Sequence, residues 1–182
     1  AIKKTAAVEE RGKELRHKYG YIPCDIFSEA IAFDMEYAIA DAAAAKAAKA
    51  LGKQEDYEHF TKMSHSYRTY FDKSTGFIRG VYADGKLRTP FNPYFSAHRA
   101  NDYCEGNAWQ YTWLVPHDIE HYAGMFGSKE ECIARLDSLF LAPSTVEGDA
   151  SPDISGMIGQ FAHGNEPSHH ILYLYTMLGE PH

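Results

Sequence analysis

Apolar residues recur at helical intervals over most of the chain, and the interruptions fall at glycine, proline and short polar clusters. Residues 3–19 form a charged amphipathic pattern that Gly20 ends, and Pro23 with Asp25 marks a loop after it. Ser28 stands where it would cap a long helix running to Leu51 and stopped by Gly52. The alanine-dense half of that helix, residues 40–51, lets another helix approach closely. After a short turn, residues 54–72 keep Tyr57, Phe60, Tyr67 and Phe71 on one helical face. Residues 73–106 lose the period, and within them 76–81 and 86–89 flank Asp84-Gly85, which predicts a short hairpin.

The helical period returns at 107–126, where Pro116 kinks the helix or restarts it as a first-turn proline. Ser128 with Glu131 makes a capping box for a helix to Phe140. Residues 141–164 form a second long connection with repeated proline and glycine, and 165–178 carry the last helix, with Pro167 in its first turn. The predicted fold class is all-α, built of helical hairpins, with one short β-hairpin. Long connections follow the first, third and fifth helices and short ones the second and fourth. Helices running alternately up and down then bring every long loop to one rim. That rim holds Ser28, Glu105, Asn107, Asn165 and Glu166.

Composition narrows the classes. At 182 residues the chain is the length of one domain with one core, and no internal repeat or linker divides it. A net charge of −7 and the lack of a basic stripe argue against a nucleic-acid partner. No run approaches the roughly 20 apolar residues of a membrane-spanning helix. Cys24, Cys104 and Cys132 are odd in number and never spaced CxxC, so they leave the compartment open. Thirteen Tyr, ten Phe and two Trp supply stacking faces for sugars, although core packing is their commoner use.

Two stretches carry the candidate chemistry. In the first, 102–111, Glu105 lies among Tyr103, Trp109 and Tyr111 just before a helix start. Aromatic walls favour the neutral acid, whereas a helix start favours the anion, and the residues leave that balance open. The second runs from His163 to His170 and gathers three imidazoles and a carboxylate. Glu166 and His170 are four apart, as zinc ligands on one helix face would be, but no HExxH is present and His169 points away from His170. The oxygens of Gln160, Asn165 and Glu166 form a harder set that suits calcium. Equally, Asn165 can be a helix cap and the histidines core donors.

The segments 103–116 (YCEGNAWQYTWLVP) and 153–175 (DISGMIGQFAHGNEPSHHILYLY), preceded by Met35-Glu36-Tyr37-Ala38 and Tyr70-Phe71-Asp72, resemble the bacterial α-mannosidases of glycoside hydrolase family 92 from about residue 28 onward. The resemblance implies an (α/α)6 catalytic toroid, of which residues 1–182 would be about half, lacking an N-terminal β-sandwich and a later catalytic-base segment. It implies calcium-dependent hydrolysis of α-mannosides, α-1,2-linked or other glycan mannose, with inversion. By position, Glu105 matches the general acid, Gln160, Asn165 and Glu166 the calcium neighbourhood, and Trp109, Gln110 and His163 possible sugar contacts. It further implies a periplasmic, cell-surface or secreted location.

The chain also departs from the family pattern. The family's base is an aspartate in a Gly-Asn-Asp-like motif beyond the HGNEPSHH stretch, and residues 1–182 contain none, so this segment alone is expected to be inactive. Ala40-Asp41-Ala42 stands where the family often has a second Asp and a Trp. Half a toroid would expose apolar faces and self-associate. The alternative function is a non-catalytic helical module that binds carbohydrate or acts as a scaffold.

Overall fold

The computed structural model describes residues 2–181. The architecture is mostly helical, as expected, with two small antiparallel sheets where one short β-hairpin was expected. The leading helix is two pieces, α1 (Ile2–Ala6) and α2 (Lys13–Tyr19), because Arg11 and Gly12 turn through left-handed backbone between them. Then come the long α3 (Ala30–Ala50) and α4 (Gln54–Met63), packed together as a hairpin across the alanine-rich surface. α4 ends earlier than expected. A turn at 64–66 leads into the short α5 (Tyr67–Tyr70), and Phe71 then adopts extended backbone.

Strand β1 (Phe71–Asp72) pairs with β2 (Phe77–Ile78) in the register Phe71↔Ile78 and Asp72↔Phe77. Asp72 sets this turn, because its carboxylate accepts bonds from Ser74, Thr75 and Arg79. The hairpin read around Asp84-Gly85 is reduced to one bridge, Val81↔Leu87. Beyond the long loop, α6 (Ala108–Tyr111) is followed by a 3-10 turn at Pro116–Asp118 and by α7 (Ile119–Met125), so Pro116 restarts the helix. α8 (Lys129–Leu141) starts as its sequence predicts, with the Ser128 hydroxyl accepting from Glu131 N at 3.1 Å. The chain closes with β3 (Met157–Ile158), β4 (Phe161–Ala162), a 3-10 turn at Glu166–Ser168 and α9 (Ile171–Met177).

The β3–β4 pair was not foreseen. Gly159 turns between the strands with φ +58, and a Cβ there would press into the Leu139 carbonyl and the Phe140 backbone. Only glycine lets this hairpin sit so close to the end of α8. The main core gathers Ile31 and Met35 of α3, Tyr67 and Tyr70 of α5, Trp113, Tyr122 of α7, Leu136 and Leu139 of α8, and Phe161. All four residues of α6 are buried, and α6 touches β2, β4 and the second 3-10 turn, which makes it the hub of the loop region.

Candidate active site

The three long connections meet. Ser96 N donates to Glu147 O at 2.8 Å and His98 N to Asp149 O at 3.0 Å, so the loop before α6 is bound to the loop after α8. The loop before α3 joins from another direction: Ser28 Oγ donates to Arg99 O at 2.8 Å and Glu29 N to Asn101 O at 2.7 Å. Ser28 therefore ties two loops together and does not cap α3. The carbonyl of Asp102 instead accepts from Ile31 N and Ala32 N.

At the centre, Asn107 starts α6 with a capping box. Its side-chain oxygen accepts from Trp109 N at 3.0 Å, while Gln110 Oε1 accepts from Asn107 N at 2.8 Å. Glu105 lies two residues earlier in left-handed backbone, φ +50, which a glutamate adopts only at a cost. Its carbonyl oxygen receives the Asn165 side-chain N–H at 2.6 Å, and this bond brings the two candidate stretches together. Tyr111, whose hydroxyl donates to Cys104 O at 2.7 Å, and Tyr103, whose hydroxyl donates to Ile78 O at 2.7 Å, brace the segment on either side of Glu105.

The other expected site residues divide. Gln160 is fully buried: its oxygen accepts from Asn107 Nδ2 at 3.0 Å and its amide donates to Pro143 O and Thr145 O. Gln110 is 2% exposed and donates to Gln160 O at 2.6 Å. Trp109 is 7% exposed, edge-on to Phe77, with the Arg135 guanidinium 4.6 Å above its ring. These three are spent on the frame that joins α6 to the loops packed against it. His163 and Glu166, by contrast, are exposed, and the His163 ring lies between those of Phe161 and His169.

Asn165 is 3% exposed, and its amide oxygen is buried without a partner. Such a neutral oxygen suits a hard cation, and the exposed Glu166 carboxylate is next in the chain. Gln160 fits that role less well, since its amide is already engaged on both ends. Zinc fits poorly, because His170 Nε2 bonds to Trp113 O at 2.7 Å and burial lowers its pKa, which makes it a neutral core donor. Among the described residues, no group of three His, Cys, Asp or Glu side chains stands ready to hold a metal.

One residue had no signal in the sequence. Glu29 sits in left-handed backbone, φ +56, beside Cys104. Burial, and after it the Glu29 carboxylate, push the Cys104 thiol up to about 12, which favours the neutral thiol.

Residues 1–182 match the family described as the glycosyl hydrolase family 92 catalytic domain. A solved family GH92 α-mannosidase from Bacteroides thetaiotaomicron, in complex with mannoimidazole, is 39% identical with a TM-score of 0.89, over 99% of this chain and 24% of that one. A family GH92 inverting mannosidase from the same bacterium is 35% identical with a TM-score of 0.75, over 93% of this chain and 24% of its own. A protein of Arthroderma benhamiae named "Uncharacterized secreted glycosidase" is 25% identical over 90% of this chain and 21% of its own length. The chain thus spans less than a quarter of the length of each of these relatives.

Proposed function

The chain belongs to glycosyl hydrolase family 92, and from that membership we propose that it carries the proton-donating part of an α-mannosidase active centre, acting on α-linked mannose in glycans with inversion. The observation that supports this most directly is the bond from Asn165 Nδ2 to the Glu105 carbonyl, which unites the EGNAWQY and HGNE stretches at one place.

In the mechanism we propose, the Glu105 carboxyl donates its proton to the glycosidic oxygen as the bond to the anomeric carbon breaks. Water attacks the opposite face and gives its proton to a second carboxylate, which inverts the configuration. Such a pair stands roughly 6.5–9.5 Å apart to leave room for the water. By family likeness the second carboxylate belongs to a Gly-Asn-Asp-like motif, which residues 1–182 do not contain, so we expect this segment to be inactive by itself. We take the segment as part of an (α/α)6 toroid on the same grounds.

The residues of this chain divide the remaining work. The capping box of Asn107 and Gln110, pinned to Gln160, fixes the direction in which the chain leaves Glu105. Trp109, packed against Phe77 and Tyr94, anchors α6 in the core. His163 is the exposed candidate for a sugar contact. Asn165 Oδ1 and the Glu166 carboxylate would hold calcium, which when bound polarises sugar hydroxyls and favours ring distortion.

The test uses the polypeptide that contains this chain. Glu105→Gln should lower turnover of an α-linked mannobiose by roughly 10²–10⁴-fold with unchanged circular dichroism. Chelation should also lower turnover, and added calcium should restore it. Full turnover in the variant removes Glu105 as the acid and leaves the carbohydrate-binding alternative, and indifference to chelation removes calcium.

A further inference from the structure

The Glu29 side chain stands beside the Cys104 thiol and serves neither α3 nor a cation. It directly precedes α3, yet it makes no capping bond, and the free N–H groups of that helix are served by the Asp102 carbonyl. Its backbone is left-handed, a conformation that glycine or asparagine adopts more readily. One of its carboxylate oxygens, Oε1, is buried without a hydrogen-bond partner. No ion pair among the described residues includes it. A carboxylate in strained backbone with one oxygen buried and unpartnered costs the free protein stability.

Its position gives it a use. Four non-glycine residues among those described have positive φ: Arg11, Glu29, Arg99 and Glu105. The last three converge on Cys104, where the charges of Glu29, Glu105 and Arg99 all act on the thiol. The short bonds Ser28 Oγ to Arg99 O and Glu29 N to Asn101 O fix that convergence in the backbone. From a different loop, Asn165 reaches the same spot through Glu105 and carries the second buried, unpartnered oxygen. Two buried acceptor oxygens without a hydrogen-bond partner therefore flank the 104–105 segment. With the Asn165 oxygen turned to a cation, the Glu29 oxygen is the acceptor left over, and a sugar brings the O–H group that completes it.

We propose that Glu29 is a further substrate-binding residue of this site, its carboxylate accepting a hydroxyl of the bound glycan. The proposal rests on the glycoside-hydrolysing function given above.

Glu29→Gly is the informative variant, because glycine is at ease with positive φ and removes the carboxylate without disturbing the turn. In the polypeptide that contains this chain, its melting temperature should be equal to or above that of the parent. Its KM for α-linked mannobiose should rise roughly tenfold to a hundredfold, the usual loss of a hydrogen bond to a charged group, with kcat changed by no more than a few-fold. Glu29→Gln, which keeps side-chain size and one acceptor oxygen, should show a smaller rise and so covers a failure of the glycine variant to fold. Parental KM in both variants overturns the proposal. So does an unchanged KM joined to a raised calcium requirement, since that assigns the carboxylate to the cation. Glu105→Gln, assayed in parallel, separates the two ideas: its full turnover would sink the underlying function, whereas its loss beside an unaffected Glu29 variant would sink this proposal alone.

Discussion

The side-chain nitrogen of Asn165 stands 2.6 Å from the carbonyl oxygen of Glu105, sixty residues earlier in the chain. The acceptor is main chain, so the bond fixes the Glu105 backbone in its left-handed conformation and leaves the carboxyl free for other partners. Asn165 can do this because it begins a 3-10 turn in which Pro167 lacks an N–H and Ser168 N bonds back to Asn165 O at 3.1 Å. A rigid turn thereby positions a residue held in strained backbone, and a reactive group that must point one way needs such support.

Replacing Asn165 by Asp removes the donor and sets a carboxylate oxygen against the Glu105 carbonyl. The polypeptide containing this chain should lose at least tenfold in kcat/KM for an α-mannoside and about 1–3 kcal/mol of stability, the usual cost of leaving a buried polar group unsatisfied. Steady-state kinetics and a urea titration check it. Unchanged kinetics would show that the Glu105 loop holds itself.

Arg16 ties α2 to α3. Its guanidinium bonds to Asp34 at 2.5 Å and to Asp41, donates to Met63 O at 2.6 Å, and is 5% exposed. Asp34 also accepts from Ile22 N and from the Tyr70 hydroxyl. Arg16→Met would strand buried carboxylates, and a loss of about 3–5 kcal/mol is expected. The urea midpoint should fall with an unchanged slope. A shift under about 1 kcal/mol would mean the cluster relaxes into water.

Two histidines make the fold sensitive to mild acid. Burial lowers the pKa of His117 and His170 below the ordinary 6.5. Each donates from Nε2 to a carbonyl, Ser64 O at 2.9 Å and Trp113 O at 2.7 Å. Because the unfolded chain takes up these protons first, the stabilisation is complete above about 6.5 and is lost as pH falls from there through the lower folded values. The melting temperature should therefore drop between about pH 7 and 5, and a double variant, His117→Gln with His170→Gln, should flatten that slope. An equal slope in the variant would place the acid sensitivity elsewhere.

Signals confined to a few neighbouring residues were legible in the sequence. The α8 cap at Ser128 and the restart at Pro116 both depend on side chains within one turn of each other. What depended on distant partners was hidden. Residues 157–162 are too short to show a strand period, and their hairpin exists because Gly159 fits against the end of α8. Gln110 was expected at the sugar from the family resemblance and Gln160 at a cation from its amide oxygen, and each amide is engaged by a residue some fifty positions away or by its own helix start. Glu29 carried no motif, since backbone strain and an unpartnered oxygen exist only in three dimensions.

The central claim is that Glu105 gives a proton to the departing sugar oxygen, and leaving-group dependence tests it most directly. In the polypeptide containing this chain, Glu105→Gln should lose roughly 10²–10⁴-fold in kcat/KM on an α-mannobiose, whose leaving alcohol needs the proton. On a dinitrophenyl α-mannoside, whose leaving group needs none, it should lose only a few-fold. Equal losses on both substrates, or no loss on the disaccharide, would contradict the account.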